Sequence, residues 1–142
     1  MSISSKIISD KESIDLNEYK DLFVMTKDAA FITKSLERVS NVVPIHSKHI
    51  LSKDQILITD QFMNKTKNNI IKEANAMLAI EDKNILYKIS GKCKYENEGS
   101  YYEKAVQMVE EYAKTKAKNK KIKIKCKGII IMDIKKIEKI QL

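Results

Sequence analysis

Three glycines and one proline in 142 residues exclude a collagen-like repeat and any Gly-rich linker. The two cysteines, Cys93 and Cys126, stand far apart, with no CxxC spacing and no histidine at a zinc-ligand offset. Both read as buried thiols, and the fold needs neither a disulfide nor a metal to hold it. No apolar run approaches the ~18 residues of a membrane helix, and the N-terminal MSISSKIISDKES lacks the apolar stretch of a signal peptide. A cytoplasmic protein with no membrane association is the expectation. Arginine is nearly absent: Arg38 is the sole arginine, and every other basic residue is lysine.

What remains is an ordinary globular balance, 43% hydrophobic and 32% charged, at a length that accommodates one domain. The expectation is a single domain over residues 1–142, with 1–14 as a flexible N-terminal segment. The net charge of +8 keeps nucleic acid and phosphate-bearing ligands open as partners. It is also lopsided: residues 99–142 carry twelve lysines and five acids, net +7, which leaves +1 for residues 1–98. Lys114, Lys116, Lys118, Lys120, Lys121, Lys123, Lys125 and Lys127 could track a phosphate backbone, or form a solvated loop and the outer face of a strand. No aromatic is interleaved among them for base stacking, which argues against nucleic acid as the main partner.

Along the chain, Asp15 and Glu18 form a capping pair for a helix with Leu16, Tyr19 and Phe23 on one face, ending near Thr26. Two β-branched runs follow, Asp28–Ser35 and Ser40–Leu51, joined by a longer and less regular turn through Leu36–Val39. Pro44 places the second run at a sheet edge or a bulge. Gln55–Asp60 is a short apolar strand. The helix in NKTKNNIIKEA comes next, with Ile70 and Ile71 inward, and a strand starts at Asn75. YKISGKCKYE alternates strictly, so Tyr87, Ile89, Gly91, Cys93 and Tyr95 share a face. Gly99 ends that strand, and Ser100 with Glu103 caps a helix whose stripe is Tyr102, Ala105, Val106, Val109, Tyr112 and Ala113. One or two final strands begin near Ile122, with Cys126 on the face of Ile122 and Ile124, and the run becomes continuously apolar over Ile129–Met132. Strands predominate and do not alternate regularly with helices, which favours an antiparallel β-barrel with added helices.

Little in the sequence promises side-chain catalysis. His46 and His49 are three apart on a predicted strand and face opposite sides, so they cannot share a metal. HExxH and GxSxG are absent, and no cysteine adjoins a predicted base. The most informative local feature is the helix opening Met63-Asn64-Lys65-Thr66. Lys65 and Lys67 sit where the helix dipole is already positive, an unfavourable place for lysine without an anion. Asn64, the free backbone N–H groups, the Thr66 hydroxyl and the Lys65 ammonium together make a phosphate cradle, unless the lysines there merely follow from a lysine-rich composition.

The segments NVVPIHSK, ILITDQFMNKTKNNI and YKISGKCKYENEGSYYEKAVQMVEEYA resemble the FMN-binding split β-barrel proteins related to pyridoxamine 5′-phosphate oxidase, over nearly the whole chain from about Asp28. The resemblance implies a mainly β fold with helices, a split antiparallel β-barrel. It implies FMN as cofactor, with Val43, Pro44, Ile45, His46 and Ser47 lining the ring, Ile58, Thr59 and Asp60 continuing that wall, and Met63, Asn64, Lys65 and Thr66 holding the phosphate. His46 would orient a substrate or the flavin edge, and no residue is assigned as catalytic or as a metal ligand. A homodimer with the flavin at the subunit interface is implied as well. Many relatives have an Arg-Lys pair at the phosphate where this chain has Asn64-Lys65. The C-terminal arginine and histidine that hold pyridoxamine phosphate are missing, so that substrate is not carried over. The functional alternatives are a flavin-dependent oxidoreductase acting on a small redox substrate, a flavin-binding or electron-transfer protein serving a redox partner, and a basic nucleic-acid-binding module.

Overall fold

The computed structural model describes residues 4–10, 14–25, 29–45, 48–60, 64–116 and 126–141. Eight strands among them join one antiparallel sheet: β1 (Ser4–Asp10), β2 (Ala29–Lys34), β3 (Ser40–Ile45), β4 (Lys48–Ser52), β5 (Gln55–Asp60), β6 (Asn75–Asp82), β7 (Ile85–Glu96) and β8 (Gly128–Gln141). Three α-helices accompany them, α1 (Lys20–Met25), α2 (Asn64–Lys72) and α3 (Ser100–Lys116), with a 3₁₀ turn at Leu16–Tyr19 leading into α1. Strand order is β3-β2-β6-β7-β8-β5-β4. The two ends of that order, β3 and β4, are consecutive in the chain and separated only by residues 46 and 47. Three Cα steps reach about 11 Å at full stretch, so the sheet must curl until its edges nearly meet. That is a split barrel rather than an open sheet.

The longest strand, β8, makes the split. From Ile129 to Gln141 it pairs with β7, with one register shift beside Gly91. Along its other edge Gly128–Asp133 pairs with β5 and Lys136–Gln141 with β1. Ser4–Asp10 is therefore a strand, where the sequence placed a flexible segment; its short Lys-Ile-Ile-Ser run carries too little alternation to announce one. The continuous apolar run of β8 serves two cores at once. Ile130, Met132 and Ile134 point into the barrel with Phe31, Leu78 and Ile89, whereas Ile129 and Ile131 meet Leu57, Ala105, Val109 and Cys126 beneath α3. Tyr102 and Val106 of the expected α3 stripe pack there too, with Met108; the side chains of Tyr112 and Ala113 lie outside the described residues.

Several expectations change. Ser40–Leu51 is two strands, β3 paired with β2 and β4 with β5, because a run of β-branched residues does not mark where the chain leaves one strand for another. The β2–β3 connection is a regular three-residue turn: Ser35 N–H donates to the Val39 carbonyl (3.0 Å), and Arg38 takes the left-handed conformation, φ 63°. Asp15 does cap, its carboxylate accepting from Asn17 N–H at 3.0 Å, although the first turn is 3₁₀. At α3 the Gly99 carbonyl, at φ 99°, accepts from Glu103 N–H, so Ser100 is the first helical residue rather than the cap. Ile70 is buried in α2, whereas Ile71 is 64% exposed, since adjacent helical residues point about 100° apart. Residues 117–125, with the expected strand start and most of the lysine run, lie outside the described residues.

Candidate functional site

The β5 strand ends at Asp60, and α2 starts at Asn64. Asn64 and Lys65 are exposed, and the first turn of α2 contains no acidic residue. The opposite side of that turn is fixed. Thr66 is 1% exposed, and its hydroxyl oxygen accepts from Asn41 Nδ2 of β3 at 3.0 Å. One turn on, Asn69 Nδ2 donates to Thr33 Oγ1 of β2, also at 3.0 Å. Two polar pins thus fasten α2 to the β2–β3 hairpin and set its opening turn beside β3, the strand that includes Val43, Pro44 and Ile45.

A second set of contacts fixes the end of β5. Asp60 is 1% exposed. Its Oδ2 accepts from the Tyr95 hydroxyl of β7 at 2.5 Å, and its carbonyl accepts from Lys127 N–H at 2.8 Å. Lys67 Nζ lies 5.0 Å from the centroid of the Tyr95 ring, a cation–π distance. Gly128, paired with Asp60 across β5 and β8, gives Tyr95 its room: a Cβ there would overlap the phenol ring and its oxygen. Burial, and then the bond to Asp60, push the Tyr95 hydroxyl well above the usual phenol range. Nearby, Cys126 Sγ donates to the Gly128 carbonyl at 3.2 Å, and the Tyr102 hydroxyl donates to the Cys126 carbonyl at 3.1 Å. Burial raises both thiols, Cys93 to about 12, so neither is a thiolate at neutral pH.

The expected ring wall is placed unevenly. Ile45, Ile58 and Thr59 are buried, the two isoleucines in the barrel core, so those side chains pack within the chain and leave backbone for outside contacts. Val43 is half-buried against the same core, and Pro44 is exposed on β3, an edge strand as proline requires. His46, Ser47 and Met63 lie outside the described residues. His49 is half-buried on β4, where burial and then the charge of neighbouring Lys48 lower its pKa. Among the described residues no group of three His, Cys, Asp or Glu side chains could hold a metal ion. Sequence reasoning missed Asn41 and Tyr95 as parts of this region. Tyr95 was visible as the last inward residue of an alternating strand, but nothing in its spacing names Asp60, 35 positions away, as its partner.

No family model and no curated protein matches the sequence. Solved structures do match. An FMN-binding protein from Syntrophomonas wolfei subsp. wolfei superposes with a TM-score of 0.71 at 16% identity, over 89% of this chain and 86% of that one. HupZ of Group A Streptococcus gives 0.69 at 21% identity, over 85% and 90%. A protein of the pyridoxinephosphate oxidase family from Clostridium acetobutylicum gives 0.59 at 12%, over 84% and 82%. The chain has the split-barrel fold of the FMN-binding, pyridoxamine 5′-phosphate oxidase-like proteins. Within a split barrel of this kind, the acid-free opening of α2 and the edge strand β3 form one continuous region, pinned together by Asn41 and Thr66.

Proposed function

We propose that the chain is an FMN-binding flavoprotein that works as a flavin-dependent oxidoreductase. The observation that carries this reading is the opening turn of α2. Its side chains include two lysines and no acid, Lys65 is exposed, and the turn is held rigidly against β3. First-turn N–H groups have no partner within the helix and meet the positive end of its dipole, so this donor set suits a phosphomonoester. Likeness in fold to an FMN-binding protein supports the same assignment.

In this proposal Lys65 and Asn64 hold the phosphate together with the backbone N–H groups, and Thr66 contributes its N–H while its side chain supports the turn. The isoalloxazine lies along β3, against Pro44 and the backbone of Val43 and Ile45, with the β5 end at Ile58, Thr59 and Asp60 as a supporting wall. His46, Ser47 and Met63 enter by their sequence positions alone. When bound, FMN supplies the electron transfer; the protein orients it and shields one side from water. We further propose a cytoplasmic homodimer with the ring near the subunit interface. No helix among the described residues is long and apolar enough to cross a membrane.

The test is the absorption spectrum of the chain purified without added cofactor, followed by titration with FMN and riboflavin. Flavin absorption in the purified protein, and tighter binding of FMN than of riboflavin, are the expected results. Binding of neither flavin would defeat the proposal. Steady-state turnover of reduced nicotinamides with candidate acceptors then distinguishes an oxidoreductase from a carrier.

A further inference from the structure

The β6–β7 hairpin turns through Lys83 and Asn84, both left-handed at φ 51° and 64°, as a tight two-residue turn requires. That turn fixes what stands beside it. Tyr87 pairs with the core residue Ile80 and packs against the core itself, and Asp82, two positions on from Ile80, shares its face at the end of the barrel. Across the same end run the 3₁₀ turn at Leu16–Tyr19 and α1, anchored by Leu16, Leu22 and Phe23 in the core. Between hairpin and helix lies a cavity of about 410 Å³, with Glu18, Tyr19 and Asp21 contributed by one and Asp82 and Tyr87 by the other. Barrel mouths are a recurring place for small ligands.

The lining gives this cavity a chemistry. The Tyr19 and Tyr87 rings meet edge to face, their centroids 6.4 Å apart and their planes at 72°. Such a pair is an aromatic wall, which attracts cations and covers methylene groups. Burial, then the charge of Asp82, then Tyr19 raise the Tyr87 hydroxyl, so that ring stays neutral. Three acids, Glu18, Asp21 and Asp82, face one base, Lys20, in a chain of net charge +8. None of the three acids forms an ion pair among the described residues. Nor do they converge on a point, since no three described His, Cys, Asp or Glu side chains are grouped to hold a metal ion. A ligand that satisfies both the wall and the acids is a cation with several charges strung along an apolar body.

We propose that the barrel mouth is a second ligand site, taking a linear alkyl polyamine whose methylene chain lies against Tyr19 and Tyr87 and whose ammonium groups pair with Glu18, Asp21 and Asp82. The site needs no flavin. It lies where Ala29 begins β2, in the row Ala29–Ile80–Tyr87, whereas α2 is pinned to Thr33 and Asn41 at the other end of the β2–β3 hairpin.

The experiment is calorimetric titration of the full chain, at physiological ionic strength, with spermidine, with magnesium chloride and with 1,8-octanediol, a neutral chain of similar length. Wild type should bind one spermidine saturably, and the other two far more weakly. Glu18→Gln with Asp21→Asn, both exposed positions, should weaken spermidine about tenfold, the scale of two surface ion pairs. Glu98→Gln with Glu110→Gln makes the same change in net charge on exposed residues elsewhere and should leave binding unchanged. Tyr87→Leu should weaken it about threefold, the scale of one exposed cation–π contact. Because Tyr87 also packs on the core, thermal melting accompanies each variant, and the Glu18 and Asp21 substitutions test the site whether or not Tyr87→Leu folds. Absence of saturable spermidine binding, equal losses in the two charge variants, or magnesium or the diol binding as tightly as spermidine would overturn the proposal. So would a Tyr87→Leu chain that melts like wild type and binds as tightly.

Discussion

Lys65 and Thr66 are neighbours on α2 with opposite environments, and the sequence assigned them the same task. Lys65 is exposed at the opening turn, so Lys65→Ala should raise the FMN dissociation constant by roughly ten- to a hundredfold, the worth of a hydrogen bond to a charged group. Riboflavin, which has no phosphate, should bind as before. Thr66 is buried with Asn41 bonded to its hydroxyl, so Thr66→Ala should register first as lost stability, about 1–3 kcal/mol, because the Asn41 amide is left without its acceptor. Urea denaturation of the apo chain checks this separately from any flavin titration. His49 supplies a pH dependence whose sign follows from its environment. Burial and Lys48 lower its pKa below the ordinary 6.5, so the unfolded chain takes up the proton more readily than the folded one. Its contribution to stability is complete above about pH 6.5 and is lost as the pH falls from there toward the folded value. His49→Gln should flatten that part of the profile, seen as a smaller drop in the urea midpoint between about pH 7.5 and pH 5.5. An unchanged drop would show that His49 does not titrate differently in the folded chain.

At the scale of the element, β7 and β8 meet closely at one position. Between Ser90 and Gly91 the register of β7 against β8 shifts, and a Cβ on Gly91 would fall on the carbonyl oxygen of Asp133. That neighbour is backbone in a central strand pair and cannot swing away, whereas Gly99 has open space around it and only its φ of 99° to favour glycine. Gly91→Ala should therefore destabilise by more than about 2 kcal/mol, and Gly99→Ala by about 1 kcal/mol; thermal melting of the two variants gives the order. Gly91 also shows what the sequence could and could not disclose. Strict alternation placed it on the inward face of a strand, correctly, but the bulge that makes glycine necessary depends on a partner more than 40 positions away. The same divide runs through the other elements. Gln55–Asp60, the strand from Asn75 and the capping Asp15 were legible, because period, composition and caps are local. The break after Ile45, the strand at Ser4–Asp10 and the burial of Thr66 were not, because pairing across the barrel decides them. Of the candidate site, the α2 opening was visible as lysines at a positive helix end. The Asp60–Tyr95 pair became visible only when β5, β7 and β8 were laid side by side.

On the whole molecule, the outer face of β3, β2 and β6 shows two apolar rows in register. Val42, Ile32 and Met77 form one, and Pro44, Ala30 and Ala79 the other. Val42 is 59% exposed, and Leu36 and Val39 at the β2–β3 turn are 68% and 62% exposed. Single exposed apolar residues are ordinary, but rows that continue across three paired strands make a patch that water disfavours and a like surface covers well. The strand that would line the flavin ring is the outermost of the three, so the proposed subunit interface and the proposed cofactor site share β3. Paired substitutions at Ile32 and Val42 to lysine keep both positions β-tolerant on an outward face and place charge at the centre of the patch. They should convert a dimer to a monomer in sedimentation equilibrium while changing the urea midpoint of the monomer little. They should also weaken FMN and riboflavin to the same extent, because the ring, common to both, loses the wall supplied by the second subunit. That equal loss is the reverse of the Lys65→Ala pattern, in which FMN alone suffers, so the two variants together separate the ring contribution from the phosphate contribution. A wild-type chain that sediments as a monomer with flavin bound, or a double variant that remains dimeric, would remove this face as the interface and leave the α2 assignment standing by itself.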